Sequence, residues 1–375
     1  MQDALSPWPN VAAARSFLRF LVGLEEAAVW PVSTQQLANW LILHGLGPFA
    51  YRQCQQGHPQ LAQLLQDDLF SAAAENSLHF TNLAAVIEQF RGKIPVVLLK
   101  GVALAEQAYG GQMYRTMSDV DIWVPPVYIS EAVTLMQAAG FCIDTKTERP
   151  QELQTLAHGE LRFYRPEWSH NLVELHLSPF AGWWLMRTAA IDNNALWAHI
   201  EPIDETAPVY QMQAEDAVIH IAVHTAVNHQ FGLAGIRSLV DLALTAQHRR
   251  IDWQLVVTRA KAWRVGTAVW LVLLKLEQLI GLPGVPDAID KLQPPQLRRR
   301  QLDKWISPES ILAGNDLRTG WLRYLFLLGL IDRKRDMVKL IWRTLWPEST
   351  WLAARYGRPV NQFYHLAHVL RHKKV

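Results

Sequence analysis

Cysteine is almost absent: only Cys54 and Cys142 occur in 375 residues. Two thiols so far apart cannot build a multi-disulfide framework, and they lack the close spacing of a metal-binding pair. The opening M-Q-D-A-L-S-P-W-P-N has no basic segment followed by an apolar run, so no export signal is expected. Long apolar runs are missing as well. The longest, near residues 268–274 and 324–331, fall well short of the ~20 residues that span a bilayer. Charge of one sign is not in excess either, since the formal net charge is +2. A soluble cytoplasmic protein is therefore expected. There is no internal repeat and no low-complexity segment.

Apolar residues, by contrast, are plentiful: half of the chain is apolar or aromatic, with sixteen tryptophans. Such a chain supports two or three packed units with large helical surfaces. Basic residues gather late. From Lys291 onward there are 17 Lys/Arg against 6 Asp/Glu. Arg298-Arg299-Arg300 and Arg333-Lys334-Arg335 read as solvated helix faces, with a polyanion partner as the alternative. Residues 337–351, rich in Trp and Arg, read as a helix on its own core, with a membrane-surface helix as the alternative.

Periodicity divides the chain into three parts. Residues 12–24, 33–43 and 59–90 carry apolar residues at helical spacing, with Ser33 as a plausible N-cap. At Ile94 the pattern changes. Residues 95–99 form a short β-branched run typical of a buried strand, and 102–109 predict a helix ended by Gly110-Gly111. Residues 119–124 predict a strand, 129–139 a helix and 141–144 a strand. Residues 160–164 and 172–177 predict an antiparallel pair joined by P-E-W-S-H-N. Helical patterns return near residue 207, at 216–228, 237–247, 253–262 and 266–280, with a break over 281–286. The expected fold is α+β: a small mixed-sheet α/β core over 93–206, flanked by helical regions over 1–92 and 207–375.

Chemistry concentrates in the central part, which reads V-V-L-L-K-G … R-T-M-S-D-V-D-I-W-V. Asp119 and Asp121 are two apart on a strand, so both side chains face one way. Two such carboxylates repel unless a cation lies between them, and a divalent ion that also holds phosphate is the usual occupant. On a later strand Glu174 and His176 share a face opposite Val173 and Leu175. Glu174 would complete a three-carboxylate cluster suited to Mg²⁺ (or Mn²⁺), or else is a solvent-facing strand residue. Displacement at an α-phosphorus, with pyrophosphate leaving, fits such a site.

Lys100-Gly101 lies where a strand hands over to a helix, a place where backbone N–H groups meet an anion. Lys100 is either a phosphate ligand or a buried lysine paired with the carboxylates. Arg115 would fork onto phosphate or neutralise the acids. His176 either helps position the acceptor or is structural. Asp216, His220 and His224 recur every four residues. They read as a polar helix face at the cleft or packing histidines rather than a zinc site, since no third ligand is specified. Arg237 and Asp241, one turn apart, read as a local ion pair.

L-K-G, then R-x-M-S-D-V-D-I-W-V, then V-E-L-H resembles the polymerase-β-type nucleotidyltransferase superfamily. More narrowly, it is similar to a little-characterised bacterial nucleotidyltransferase family with L-K-G, Arg and D-x-D in this order. Later segments, D-A-V-I-H-I-A-V-H and S-L-V-D-L-A-L, also look like that family's helical C-terminal part. The resemblance implies Mg²⁺-dependent transfer of a nucleotidyl group from an NTP, with ATP expected. Asp119, Asp121 and Glu174 fall in the positions of the metal-binding carboxylates. From the residues themselves, Lys100, Gly101, Arg115 and Ser118 are expected on the nucleotide side, and His176, His220, His224 and Asp241 are candidates for the acceptor side. The acceptor is expected to be a small molecule, peptide or protein; nucleic acid is not favoured. The superfamily usually has Gly-Ser at the strand–helix turn, whereas here Val102 follows Gly101 and no hydroxyl is present. The alternative is an inactive nucleotide-binding or scaffold protein that kept the fold.

Overall fold

The first 90 residues form helices where their apolar side chains recur once per turn. These are α1 (Val11–Leu21), α2 (Thr34–Leu43), α3 (Gly47–Cys54) and α4 (Pro59–Phe90). Ser33 caps α2 through a reciprocal capping box with Gln36, which satisfies two otherwise unpaired N–H donors. The computed structural model describes residues 6–27, 29–144, 151–204, 208–315 and 321–371.

The central part contributes β1 (Val96–Leu98), α5 (Lys100–Ala105), β2 (Asp119–Trp123) and α6 (Ile129–Ala138). It continues with β3 (Cys142–Ile143), α7 (Gln151–His158), β4 (Glu160–Arg165) and β5 (Trp168–His176). After α8 (Trp183–Thr188) and α9 (Asn193–Ala198) come two further strands, β6 (Glu201–Asp204) and β7 (Val209–Gln211). The rest is helical: α10 (Ala214–Val223), a π-helical turn (His224–His229), α11 (Gly235–His248), α12 (Trp253–Ala262) and α13 (Gly266–Leu279). Beyond them lie α14 (Val285–Leu292), α15 (Gln296–Trp305), α16 (Pro308–Leu312), α17 (Trp321–Gly329), α18 (Lys334–Leu345), α19 (Ser349–Tyr356) and α20 (Gln362–Arg371).

The seven strands make one mixed sheet in the order β3-β4-β5-β2-β1-β7-β6. β2 runs antiparallel to β1 and parallel to β5, and β1 runs parallel to β7. Alternation then sorts side chains between two layers. Val120, Ile122, Val173 and Leu175 face a core built with Leu83, Val86 and Phe90 of α4 and Ala132 and Met136 of α6. Val97 and Trp123 face the other way, into a core shared by α1–α3 and α10–α13. The long α4 touches both: Leu61 and Leu65 belong to the second core, Leu83 to Phe90 to the first. Helices from the two ends of the chain thus pack together, and Arg19 of α1 donates to the Ile280 carbonyl at 2.7 Å.

Four expectations need correction. The helix read over 102–109 starts earlier and stops at Ala105. The turn read as P-E-W-S-H-N is only Pro166-Glu167, because β5 begins at Trp168 and pairs back on β4. The helix read over 216–228 ends at Val223 and widens into the π-helical turn. β6 and β7 went unread; they are short, and Pro202 in β6 is tolerated because that strand lies at the sheet edge. The expected boundary at 206/207 lies outside the described residues, and the sheet draws Val209–Gln211 from beyond it. Among the described residues, no helix is long and apolar enough to cross a membrane.

Candidate active site

Strand register assembles the site. β2 lies beside β5 so that Asp121 is opposite Glu174 and Trp123 is opposite His176, while Asp119 is opposite Leu172. All four polar side chains therefore share the face turned toward the C-terminal helices. Asp121 Oδ1 accepts from Lys100 Nζ at 2.8 Å and lies 2.7 Å from His176 Nε2. His176 Nε2 is also 3.8 Å from Glu174 Oε2, and its Nδ1 is 3.9 Å from Glu160 Oε2. Ligand atoms of Asp121, Glu174 and His176 all fall within 4.8 Å of one another. Asp119 stands next to that group on the same strand face.

Burial turns this crowding into large electrostatic effects. Desolvation opposes the charge on Asp121, yet Lys100 and His176 overcome it and hold the carboxyl far below the usual range. Burial likewise opposes the Lys100 charge, and Asp121, Asp119 and Glu174 reverse that, so the ammonium stays protonated. Glu174 has no such rescue. Burial, with Asp121 and Glu160 nearby, pushes its carboxyl up to about 8. Arg162 Nε lies 3.1 Å from Glu174 Oε1 but without hydrogen-bond geometry, which fits its failure to hold that carboxyl down. Asp119 is raised by burial and by Asp121, and Ser118 donates a hydrogen bond that partly offsets this. The face holds more carboxyl groups than its own cations can keep ionised, and Glu174 keeps its proton in consequence.

The strand–helix turn shows why its two residues are what they are. Lys100 has φ 48°, in the left-handed region that a lysine rarely adopts, and this turns the ammonium onto the acids. A Cβ on Gly101 would lie 2.5 Å from Arg115 Nη1 and 2.9 Å from the Met117 side chain, so no other residue fits without displacement. Arg115 itself is clamped. Its Nε donates to Asp241 Oδ1 at 3.0 Å and its Nη2 to Oδ2 at 2.7 Å, and Tyr109 Oη donates to Oδ1 at 2.7 Å. The expected Arg237–Asp241 pair is thus replaced: Asp241 ties α11 to the loop before β2. From behind, Asn76 of α4 donates to the carbonyls of Gln112 and Arg115.

Across the cleft stand α10 and the π-helical turn. A solvent-open pocket of about 190 Å³ is lined by Lys100, Glu174, His176, His220, His224 and Asn228, among others. Burial and Lys100 hold His220 down at about 3, and His224 is lowered well below its usual range for the same reasons. Both imidazoles are neutral near pH 7. Asp216 does not join them, because it is bound to Arg259 at 2.6 Å. No zinc-type group forms from these histidines among the described residues. After the π-helical turn, Gln230 (φ 48°) and Phe231 (φ 65°) are both left-handed, a strained junction beside the pocket of the kind often kept at functional sites.

The structure thus brings Lys100, Glu174, His176, His220 and His224 to one pocket, with Asp121 bound to Lys100 and His176, Asp119 on the same strand face, and Arg115 and Asp241 paired apart from them. Sequence reading missed Tyr109, Asn76 and Glu160. Asn76 had a signal: with His79 and Asn82 it interrupts the apolar face of α4 at helical spacing. No curated protein and no solved structure matches the chain. A family model described as "Uncharacterised nucleotidyltransferase" matches residues 31–281, more than half of its length.

Proposed function

The chain belongs to this uncharacterised nucleotidyltransferase family, and on that premise we propose that it moves a nucleoside monophosphate from an NTP, with ATP the expected donor, to a hydroxyl of a small-molecule, peptide or protein acceptor. The observation that carries this reading is the crowding of the Asp119, Asp121 and Glu174 carboxyls on one strand face beside His176, which leaves Glu174 protonated for want of positive charge. The Asp121 and Glu174 carboxylates, whose ligand atoms lie within 4.8 Å of each other, are hard oxygen donors that suit Mg²⁺ or Mn²⁺, with Asp119 beside them on the same strand face, and the raised Glu174 carboxyl marks a place where added positive charge is favourable. Asp119, Asp121 and Glu174 would hold the ion. When bound, it supplies neutralisation of phosphate charge and makes the acceptor hydroxyl more acidic.

The chain's own groups supply the rest. The four-carbon stem of Lys100 lets its ammonium turn from Asp121 to a phosphate oxygen, where it acts as a point charge. The turn at Gly101 allows close backbone approach, and Ser118 and Arg115 border the same end. The acceptor occupies the pocket under His220 and His224, which are neutral and orient a hydroxyl by hydrogen bonding. Its oxygen bonds to the α-phosphorus as the bond to the β-phosphate oxygen breaks and pyrophosphate leaves. The hydroxyl proton passes to water, while Glu174, deprotonated when it holds the ion, stays on the metal side of the site.

Calorimetric titration of ATP, GTP, CTP and UTP, with and without Mg²⁺, tests this reading. The comparison is wild type against a folded Asp119→Ala/Asp121→Ala double variant. Mg²⁺-dependent binding that vanishes in the variant is expected. Nucleotide binding that ignores both the metal and the substitutions would sink the assignment.

A further inference from the structure

The last fifty residues lie beyond the segment matched by the family and carry a surface of different character. α18 packs against α8 and buries Asp336 and Leu340. Its other side presents Val338, Ile341, Trp342 and Leu345, which are 63%, 45%, 56% and 49% exposed. Positions 338, 341, 342 and 345 form one helical stripe, so four apolar side chains face solvent together. The stripe continues as an aromatic ridge. Trp342 stacks on Trp346 at 6.0 Å, and Trp346 meets Phe363 of α20 edge-on at 5.2 Å, with Phe363 70% exposed.

Charge around the stripe has one sign. Residues 321–371 contain nine Lys/Arg and three Asp/Glu. All three acids are engaged with other groups, Asp336 with Arg335 of α18 at 3.8 Å among them. Asp332 accepts from the backbone N–H groups of Gly266 and Thr267 at the start of α13. Asp336 is buried 3.5 Å from Arg264, and Glu348 is bound by Arg187 and Arg343. Lys334, Arg335 and Lys339, by contrast, are exposed beside the stripe.

From the exposed apolar stripe of α18 and the excess of cations beside it, we infer that this face docks on an anionic lipid surface. A narrow apolar ridge enters the headgroup region, Trp342 and Trp346 lie at the boundary, and the cations meet lipid phosphates. A protein partner suits the face less well. Stable protein interfaces engage about 20–30 residues a side and deplete lysine at their core, whereas here a few side chains form a ridge edged by lysine and arginine.

Flotation of the full chain with vesicles tests the inference. Mixed phosphatidylglycerol–phosphatidylcholine vesicles are compared with phosphatidylcholine alone. Wild type is expected to float with the anionic vesicles and to release as salt is raised. The K334Q/R335Q/K339Q variant should bind roughly 100-fold more weakly, and I341S/W342S at least about 10-fold more weakly. These positions are exposed, and circular dichroism confirms that each variant folds. Three results would overturn the inference: wild type that does not float, equal binding to neutral vesicles, or a charge variant that binds like wild type. Self-association that I341S/W342S abolishes, without vesicle binding, would reassign the face to a second copy of the chain.

Discussion

Two buried polar clusters adjoin the loop that leads into β2, and they are built on opposite principles. In the first, Arg115 meets Asp241 through two nitrogens and Tyr109 adds a third hydrogen bond, so one cation faces one anion with both carboxylate oxygens engaged. In the second, the four carboxyls of Asp119, Asp121, Glu174 and Glu160 crowd Lys100 and His176, with Arg162 at the Glu174 end. The first cluster is closed and joins the sheet to α11. The second is left short of positive charge, and that shortage is what makes it a site. Paired buried ions hold parts of a fold together, while unbalanced ones wait for a ligand.

Asp121→Asn should break the contrast most severely. It removes the carboxylate on which Lys100 and His176 converge, and we expect transfer from α-labelled nucleotide to fall at least about 1,000-fold in protein that circular dichroism shows to be folded, with a lowered melting temperature because two buried cationic groups lose their partner. A variant retaining near-normal transfer would place the chemistry elsewhere. At the closed cluster the expected loss is in folding. Arg115→Met leaves Asp241 buried opposite Tyr109 alone and should cost about 3–5 kcal/mol in urea unfolding. The R115M/D241L double variant should recover much of that loss, and simple additivity would show that the pair is not coupled.

The smallest expected effect is the most diagnostic. Glu174 has its folded pKa raised to about 8, against an ordinary value of 4.5, so between those values the folded chain holds a proton that the unfolded chain has released. Its contribution to stability is present at low pH and lost as pH rises toward 8. Glu174→Gln should therefore stabilise the metal-free protein by about 1–2 kcal/mol, with the gain growing across that window and level above it. The same proton competes with a metal, so Mn²⁺ affinity of the wild type should climb through pH 8 and that of the variant should not. A pH-independent difference in melting temperature would show that Glu174 is not held protonated.

Much of the site was legible because strand alternation is a local rule. Asp119 and Asp121 had to share a face, as had Glu174 and His176, whatever the sheet looked like. The helix over Pro59–Phe90 was equally legible from its spacing and its proline start. The clamp on Arg115 was not. Its partner lies 126 positions away, and Arg237, one turn from Asp241, offered a nearer and wrong pairing. β7 was hidden for a related reason, since three residues carry too little pattern to announce a strand until β1 lies beside them.

Periodicity alone therefore determined the three-part order, the mixed sheet and two pairs of polar residues, each on its own strand face. Backbone geometry sets those features over a few residues. Only the tertiary structure decided that the two pairs meet, because register between β2 and β5 depends on the whole buried face. Tertiary packing also decided which arginine is spent on the scaffold, which histidines overhang the cleft and which helix turns its tryptophans outward. Charges and apolar surfaces acquire their meaning from their neighbours, and those neighbours come from distant parts of the chain.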